Sequence, residues 1–248
     1  MSIIEVRKDA AYRAMKDIIS LINNVNTVYD VGGRNGCDKL LKKVKNVIIL
    51  DRNKEMLARA RRKGFRTICC DLNYKLPLKS NSIEAYFCAN LVEHIVNIDI
   101  LISEMWRTLK PGGTLFILTP NLVSLHNRFL FLFGKLPTCC CVSDLFYVGS
   151  SGEEGISHRH IRMHTFSSLA RLFELHGFDS VLMKGSGFYP SFLNFMSGVV
   201  PTFSVYIIAV FRKGKVPKDD VRRLLYRKLY DDDMELLKRK LLDSRYDL

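Results

Sequence analysis

The sequence predicts an α/β fold, a mostly parallel sheet wound by helices on both faces. Three observations predict it. Short apolar runs alternate with amphipathic stretches from residue 9 onward, the pattern made by parallel strands joined through crossover helices. Runs such as NVIIL (46–50) are nearly unbroken, as expected where both faces of a sheet are covered. A glycine-rich turn, YDVGGRNG (29–36), stands between the first run and the next helix, where open α/β sheets bind ligands.

Each element follows from its pattern. Residues 9–24 set Ala11, Met15, Ile18, Ile19 and Ile22 on one helical face. TVYDV (27–31) reads as a strand and CDKLLKKV as a helix. NVIIL is the second strand, and NKEMLARARRK is a helix closed by Gly64. FRTICC (65–70) and SIEAYFCAN (82–90) are strands. IDILISEMWRTLK (98–110) is a helix that stops before Pro111, Gly112 and Gly113, and TLFILTP (114–120) is the fifth strand. Beyond Pro120 the alternation breaks. Residues 121–164 form an irregular insert around an apolar helical piece, LHNRFLFLFG. Thr165 then caps the helix FSSLARLFELH, which Gly177 ends, and FDSVLMK and FSVYIIAVF are the last two strands.

The bulk numbers agree with one domain. The chain has 248 residues, 48% of them apolar, enough for a substantial core. Residues 1–211 make the domain, with 121–164 and 185–203 as inserts. Residues 212–248 make a charged, leucine-punctuated helical tail. The net charge is +13, which points either to an anionic partner or to a solvated basic surface. The tail holds twelve Lys/Arg against eight Asp/Glu, so most of the excess lies elsewhere. RARRKGFR (59–66) brings five positive charges to a helix end, where cations are also favoured by the helix dipole. Asp231, Asp232 and Asp233 follow no strand and read as a helix start or solvated charge.

Phe188 to Phe211 carries no charged side chain, but Pro190, Asn194, Gly198 and Pro201 interrupt it. A loop feeding a buried strand is expected there, not a transmembrane span. The seven cysteines are an odd number and the N-terminus has no apolar leader pattern, so thiols in a reducing cytoplasm are expected. Neither Cys69-Cys70 nor Cys139-Cys140-Cys141 has the spacing that lets two sulfurs reach one zinc.

The glycine turn is not a dinucleotide loop, because Val31 stands where the first glycine belongs, and no Gly-Lys-Ser/Thr marks a P-loop. Asp30, Gly32, Gly33 and Gly36 instead resemble the acid-plus-glycines loop of class I S-adenosylmethionine-dependent methyltransferases. Arg34 stands in the middle as the departure. The resemblance continues in order with Asp51 in VIILDRN, Asp71 in CCDLN, LPLKSNSIEAYFCANLVEHI, LKPGGTLFILTPN and HIRMHTFSSLARLFELHGF. It covers residues from about 25 to 211 and is similar to the small-molecule members related to ubiquinone biosynthesis.

That resemblance implies a Rossmann-like, seven-stranded, mostly parallel sheet with an antiparallel last strand, and S-adenosyl-L-methionine as cofactor. It places Asp51, followed by Arg52, on the cofactor's ribose. Asp71 falls at its adenine, with Leu72 flanking the ring. Asn90 falls at its amino-acid moiety, and the Asp30 loop lies under it. The two inserts become the acceptor lid. Methyl transfer is an in-line displacement, and the protein's task is to align the partners and exclude water. His94, in VEHI, is one candidate base or a helix cap. His160 is another, with Arg162 as a substrate-binding cation, in SHRHIRMH, which otherwise reads as a solvated basic loop. No carboxylate or cysteine joins His158, His160 and His164 at ligand spacing, so no metal is expected there. A small-molecule acceptor, anionic or hydroxylated, is the first expectation. An RNA acceptor and a non-catalytic binding protein on the same fold are the alternatives.

Overall fold

The computed structural model describes residues 3–33, 36–140, 142–143, 160–189 and 191–214, with the backbone alone at 3–8, 41 and 191. Arg34, His158, Arg159 and the tail beyond 214, with Asp231 to Asp233, lie outside the described residues.

The elements run α1 (Ile3–Ser20), β1 (Thr27–Val31), α2 (Asp38–Lys43), β2 (Asn46–Asp51), α3 (Lys54–Arg62), β3 (Arg66–Cys69), β4 (Ile83–Ala89), α4 (Ile98–Thr108), β5 (Leu109–Pro120), α5 (Leu125–Leu132), α6 (Phe166–Leu175), β6 (Phe178–Ser186) and β7 (Tyr206–Lys213). One seven-stranded sheet takes the order β3-β2-β1-β4-β5-β7-β6. The first five strands are parallel, and β7 runs antiparallel between β5 and β6. The winding reverses between β1 and β4, so the crevice at their carboxyl ends is the topological switch point.

The strand alternation divides the core in two. Ile48 and Leu50 of β2, Tyr86 and Cys88 of β4, Leu115 and Ile117 of β5, and Ile207, Ala209 and Phe211 of β7 face α4 and α6. Val47 and Ile49, Ala85 and Phe87, Phe116 and Leu118, and Ile208 and Val210 face α1, α2 and α3. Successive residues point to opposite faces, so a strand covered on both sides must be apolar throughout.

Helix ends follow their capping chemistry. The Asn53 side chain accepts from the N–H groups of Glu55 and Met56, and Thr165 forms a capping box with Ser168, each worth about 1 kcal/mol. Two expectations shift. The row that meets the sheet is Ala10, Ala14 and Ile18 of α1 with Ile22 just past its end, all buried, while Ala11 and Met15 lie half-buried beside it. The helix before Pro111 ends at Thr108, and β5 starts at Leu109. A register shift between Ile83 and Ala85, paired with Leu109 and Thr114, absorbs the Pro-Gly-Gly turn within the strand. Residues 188–211 form short 3-10 turns at Ser191–Gly198 and Pro201–Phe203 and then β7. Among the described residues no helix is long and apolar enough to cross a membrane.

Candidate functional site

Three acids stand at the carboxyl ends of neighbouring strands. Asp30 is the penultimate residue of β1, Asp51 ends β2, and Asp71 follows β3 by two residues. Parallel register sets Val31 beside Leu50 and Asp51 beside Cys69. Asp30 is almost wholly buried. Burial, and then the charge of Asp51, push its carboxyl up to about 7. Cys70 lies within the fields of both Asp51 and Asp71. Burial, then the Cys69 thiol, then those two carboxylates push its thiol up to about 11. The three acids thus share one electrostatic neighbourhood.

The glycine turn is shaped around them. A Cβ on Gly33 would stand 2.4 Å from Oδ2 of Asp30, and one on Gly36, at φ +85°, would stand 2.4 Å from the Phe65 ring. Only glycine lets the backbone pass this close. The Gly32 N–H donates to the Leu50 carbonyl at 2.7 Å, tying the turn to β2. Leu91 packs over Gly32, within 2.6 Å of where a Cβ would stand. The loop after β4 therefore touches the glycine turn directly.

The other predicted residues fall as follows. One oxygen of Asp51 accepts from the Asn53 N–H at 2.8 Å, and Oδ1 of Asp71 accepts from the Asn73 backbone and side chain at 3.0 and 2.9 Å. Each carboxylate is oriented through one oxygen by a residue two positions on. Leu72 is buried in the core, and Arg52 is exposed at the rim. Asn90 sits at φ +50°. Its N–H is committed to the Leu118 carbonyl at 2.8 Å, so its contribution to a ligand comes from its carbonyl or side-chain amide.

A second cluster begins one turn further on. Val92–His94 is a single 3-10 turn, and the His94 ring meets the His160 ring edge-on with centroids 4.8 Å apart. Two segments 66 residues apart in sequence thus deliver the two predicted histidines to one place. The carbonyl of Glu93 accepts from the N–H groups of Ile161 and Arg162 at 2.9 and 3.2 Å. The Arg162 guanidinium donates to the carbonyls of Ile95 and Val96. Arg162 is therefore a clamp between the 160–164 segment and the 93–96 turn, where the sequence had suggested a substrate-binding cation. His164 is buried, and desolvation, then Arg162, push it down to about 4, which keeps it neutral.

Glu93 is the residue that sequence reading missed. It is fully buried, and Oε2 accepts from the Thr119 hydroxyl at 3.0 Å. Burial pushes its carboxyl up to about 7, against the opposing pull of that bond and of its own backbone N–H. The available signal was an acid lodged in an apolar run, LVEHI. A carboxylate does join the histidines. One ligand atom from each of Glu93, His94 and His160 falls within a span of 4.8 Å.

The basic run at 59–66 is largely spent locally. Arg59 pairs with Glu55 at 2.6 Å, Lys63 with Asp38 at 3.6 Å, and Arg61 donates to the Thr67 hydroxyl at 2.7 Å.

Residues 30–117 match a protein family described as a methyltransferase domain. No curated protein matches the sequence. The fold recurs in a chain of the complex between the Haloferax volcanii Trm112 methyltransferase activator and a methyltransferase. The identity is 14%, 85% of this chain and 92% of that chain are covered, and the TM-score is 0.59. It recurs in a Thermotoga maritima S-adenosylmethionine-dependent methyltransferase, titled a possible histamine N-methyltransferase, at 15% identity, 85% and 91% coverage and TM-score 0.59. It also recurs in the [4+2]-cyclase SpnF, at 16% identity, 81% and 80% coverage and TM-score 0.54. Likeness at this identity is one of fold, and a cyclase among the matches shows that the fold alone does not set the reaction.

Proposed function

Taking as premise that residues 30–117 are a methyltransferase domain on the class I fold, with S-adenosylmethionine as cofactor, we propose that this chain moves the methyl group to a small-molecule acceptor. The observation that carries this reading is the adjacency of two clusters: the acids at the ends of β1, β2 and β3, and the His94–His160 pair reached through Leu91.

The first cluster suits an adenosyl group. The Asp51 carboxylate, oriented by the Asn53 N–H, would accept from the ribose hydroxyls. Asp71 reaches the adenine amine with Leu72 at its edge. Gly33 lets the ligand's amino-acid end lie against the backbone over Asp30. The sulfonium supplies an already activated methyl group, so the protein's share is alignment and water exclusion.

The second cluster handles the acceptor. The Nδ1–H of His160 donates to the Cys139 carbonyl at 2.8 Å, which leaves Nε2 as the basic nitrogen. His94 and His160 can then take a proton from an acceptor hydroxyl. The two inserts would supply the acceptor's walls, and both present apolar surface. Phe129, Phe131 and Phe133 of the α5 region and Phe192 and Phe195 beyond β6 are exposed. The two inserts are joined where His126 meets Tyr189 at 4.7 Å and Arg128 lies over Phe203. Such walls favour a lipidic or aromatic small molecule over a wholly polar one.

RNA is the second reading. The observation that favours it is a cleft of about 320 Å³ between α1 and α2, lined by Lys16, Lys39, Lys42 and Lys43. Transfer of labelled methyl from the cofactor into fractionated cell extract separates the two. Label in the small-molecule or lipid fraction supports the first reading, and label in RNA overturns it.

A further inference from the structure

We infer that Glu93, His94 and His160 form a binding site for one divalent first-row transition-metal ion at the acceptor side of the sheet. Two imidazoles and one carboxylate are the donor set such ions favour, and one donor atom from each lies within 4.8 Å of the others.

Three further observations point to a ligand there. The first is Glu93. Its side chain is completely buried, Oε2 is held by Thr119, and Oε1 is buried with no hydrogen-bond partner among the described residues. An orphaned oxygen on a buried acid is costly, and a cation beside it removes the cost. The second is His160. Its Nδ1 bond to the Cys139 carbonyl is the outer contact that metal-ligating histidines make, fixing the tautomer so that Nε2 presents its lone pair. The third is the scaffold. Two backbone bonds to the Glu93 carbonyl and the Arg162 clamp on Ile95 and Val96 hold the 160–162 segment against the 93–96 turn. The donors are thus brought together by contacts that do not themselves need the ion. Donors around a first-row ion stand about 3–4 Å apart, so rotation of the two half-buried imidazoles by about 1 Å completes the shell.

Three protein ligands leave open positions. Resting on the methyl-transfer reading, those positions would take the oxygen of a hydroxylated acceptor and lower its pKa. With both imidazoles bound to the ion, neither can take the hydroxyl proton as the metal-free pair would, and that proton goes to solvent. The hydroxyl oxygen forms the bond to the methyl carbon, and the electron pair of the breaking carbon–sulfur bond stays on sulfur. The substrate class this selects is an alcohol or phenol, with a second oxygen alongside as the better chelator.

The test uses the full chain stripped with a chelator and titrated with Co²⁺ by visible absorption and with Zn²⁺ by calorimetry. One equivalent should bind, with ligand-field bands from Co²⁺. Glu93→Gln, which keeps the shape and the Thr119 bond, and His160→Ala should each weaken binding by about 100-fold. Cofactor calorimetry and circular dichroism on the same proteins report separately on methyl-donor binding and on folding. No bands, or binding equally strong in folded Glu93→Gln and His160→Ala, overturns the metal site. Metal binding without cofactor binding would instead overturn the methyl-transfer reading and leave the site standing.

Discussion

The two halves of the crevice solve opposite electrostatic problems. On the β1–β3 side, Asp30 is buried near Asp51, and burial first, then that charge, hold its proton up to about pH 7. On the β4–β5 side a single buried acid, Glu93, is answered by a hydroxyl from β5 and stands beside the imidazoles of its neighbour His94 and of the distant His160. The first side is made by short-range turns, with Asp51 and Asp71 each held by a residue two positions on. The second is made by contacts across 26 to 67 residues. A site of local turns is ready as soon as the sheet forms, whereas one of distant contacts depends on the inserts being docked. Changes on the first side should therefore register in cofactor affinity and in the pH dependence of folding, and changes on the second in turnover.

The largest effect expected is the Asp30 linkage. In the cofactor-free protein the folded chain keeps the Asp30 proton between its unfolded value of 3.8 and about 7. This contribution to stability is fully present below pH 3.8 and is lost as pH rises through about 7. It amounts to about 4 kcal/mol at most. Denaturation midpoints from pH 4.5 to 8 should fall with rising pH in the wild type and fall less steeply in Asp30→Asn, where Glu93, also held up to about 7, leaves part of the slope. A slope unchanged by the substitution would mean that Asp30 does not hold its proton in the folded chain.

Next comes Asp51→Ala, which removes a carboxylate expected to accept two hydroxyl bonds. Charged hydrogen bonds are worth about 1.5–3 kcal/mol each, so calorimetry should show cofactor affinity falling by about 100-fold or more. Fold stability should change little, since Asp51 is only half-buried. An unchanged affinity would detach the acids from the adenosyl group and dissolve the contrast between the halves.

That same contrast decides how much could be read from the residues. The strands, the mostly parallel winding and the strand-end positions of Asp30, Asp51 and Asp71 were legible because unbroken apolar runs between helical stretches, and the acids that close them, are local signals. His94 and His160 could be named but not joined, since nothing local says that the Cys139 carbonyl will orient one of them. Glu93 was invisible as a partner because burial by Thr119, 26 residues on, is a tertiary fact. Arg162 reads from the sequence as a substrate-binding cation, and its bonds to the Ile95 and Val96 carbonyls are tertiary contacts that no local signal announces.

Arg162→Ala should then show a smaller, one-sided effect. Releasing the carbonyls of Ile95 and Val96 loosens the segment bearing His160. A loss of about 10- to 30-fold in kcat/KM is expected, about 1.4–2 kcal/mol, the low end for a charge-assisted bond, with cofactor affinity changed less than about twofold. Equal losses in both would mean that the two halves are mechanically coupled, through the Leu91 contact with the glycine turn.

The smallest effect belongs to the basic helix end. Arg59 is paired and exposed, Arg61 is satisfied by Thr67, and Arg62 is exposed at the same terminus. Exposed pairs of this kind contribute about 0–1 kcal/mol. Replacing all three with glutamine should therefore leave folding, cofactor affinity and turnover of a small acceptor within about twofold. The same triple substitution is informative because an RNA acceptor would read it differently. Each lost phosphate contact would lower the slope of log affinity against log salt by about 0.7–0.9. A salt dependence that drops by about two or more between wild type and variant would move these arginines from solvated surface to binding face. The acceptor would then cross the outside of the sheet's helices, and a docked insert would no longer be needed to enclose it.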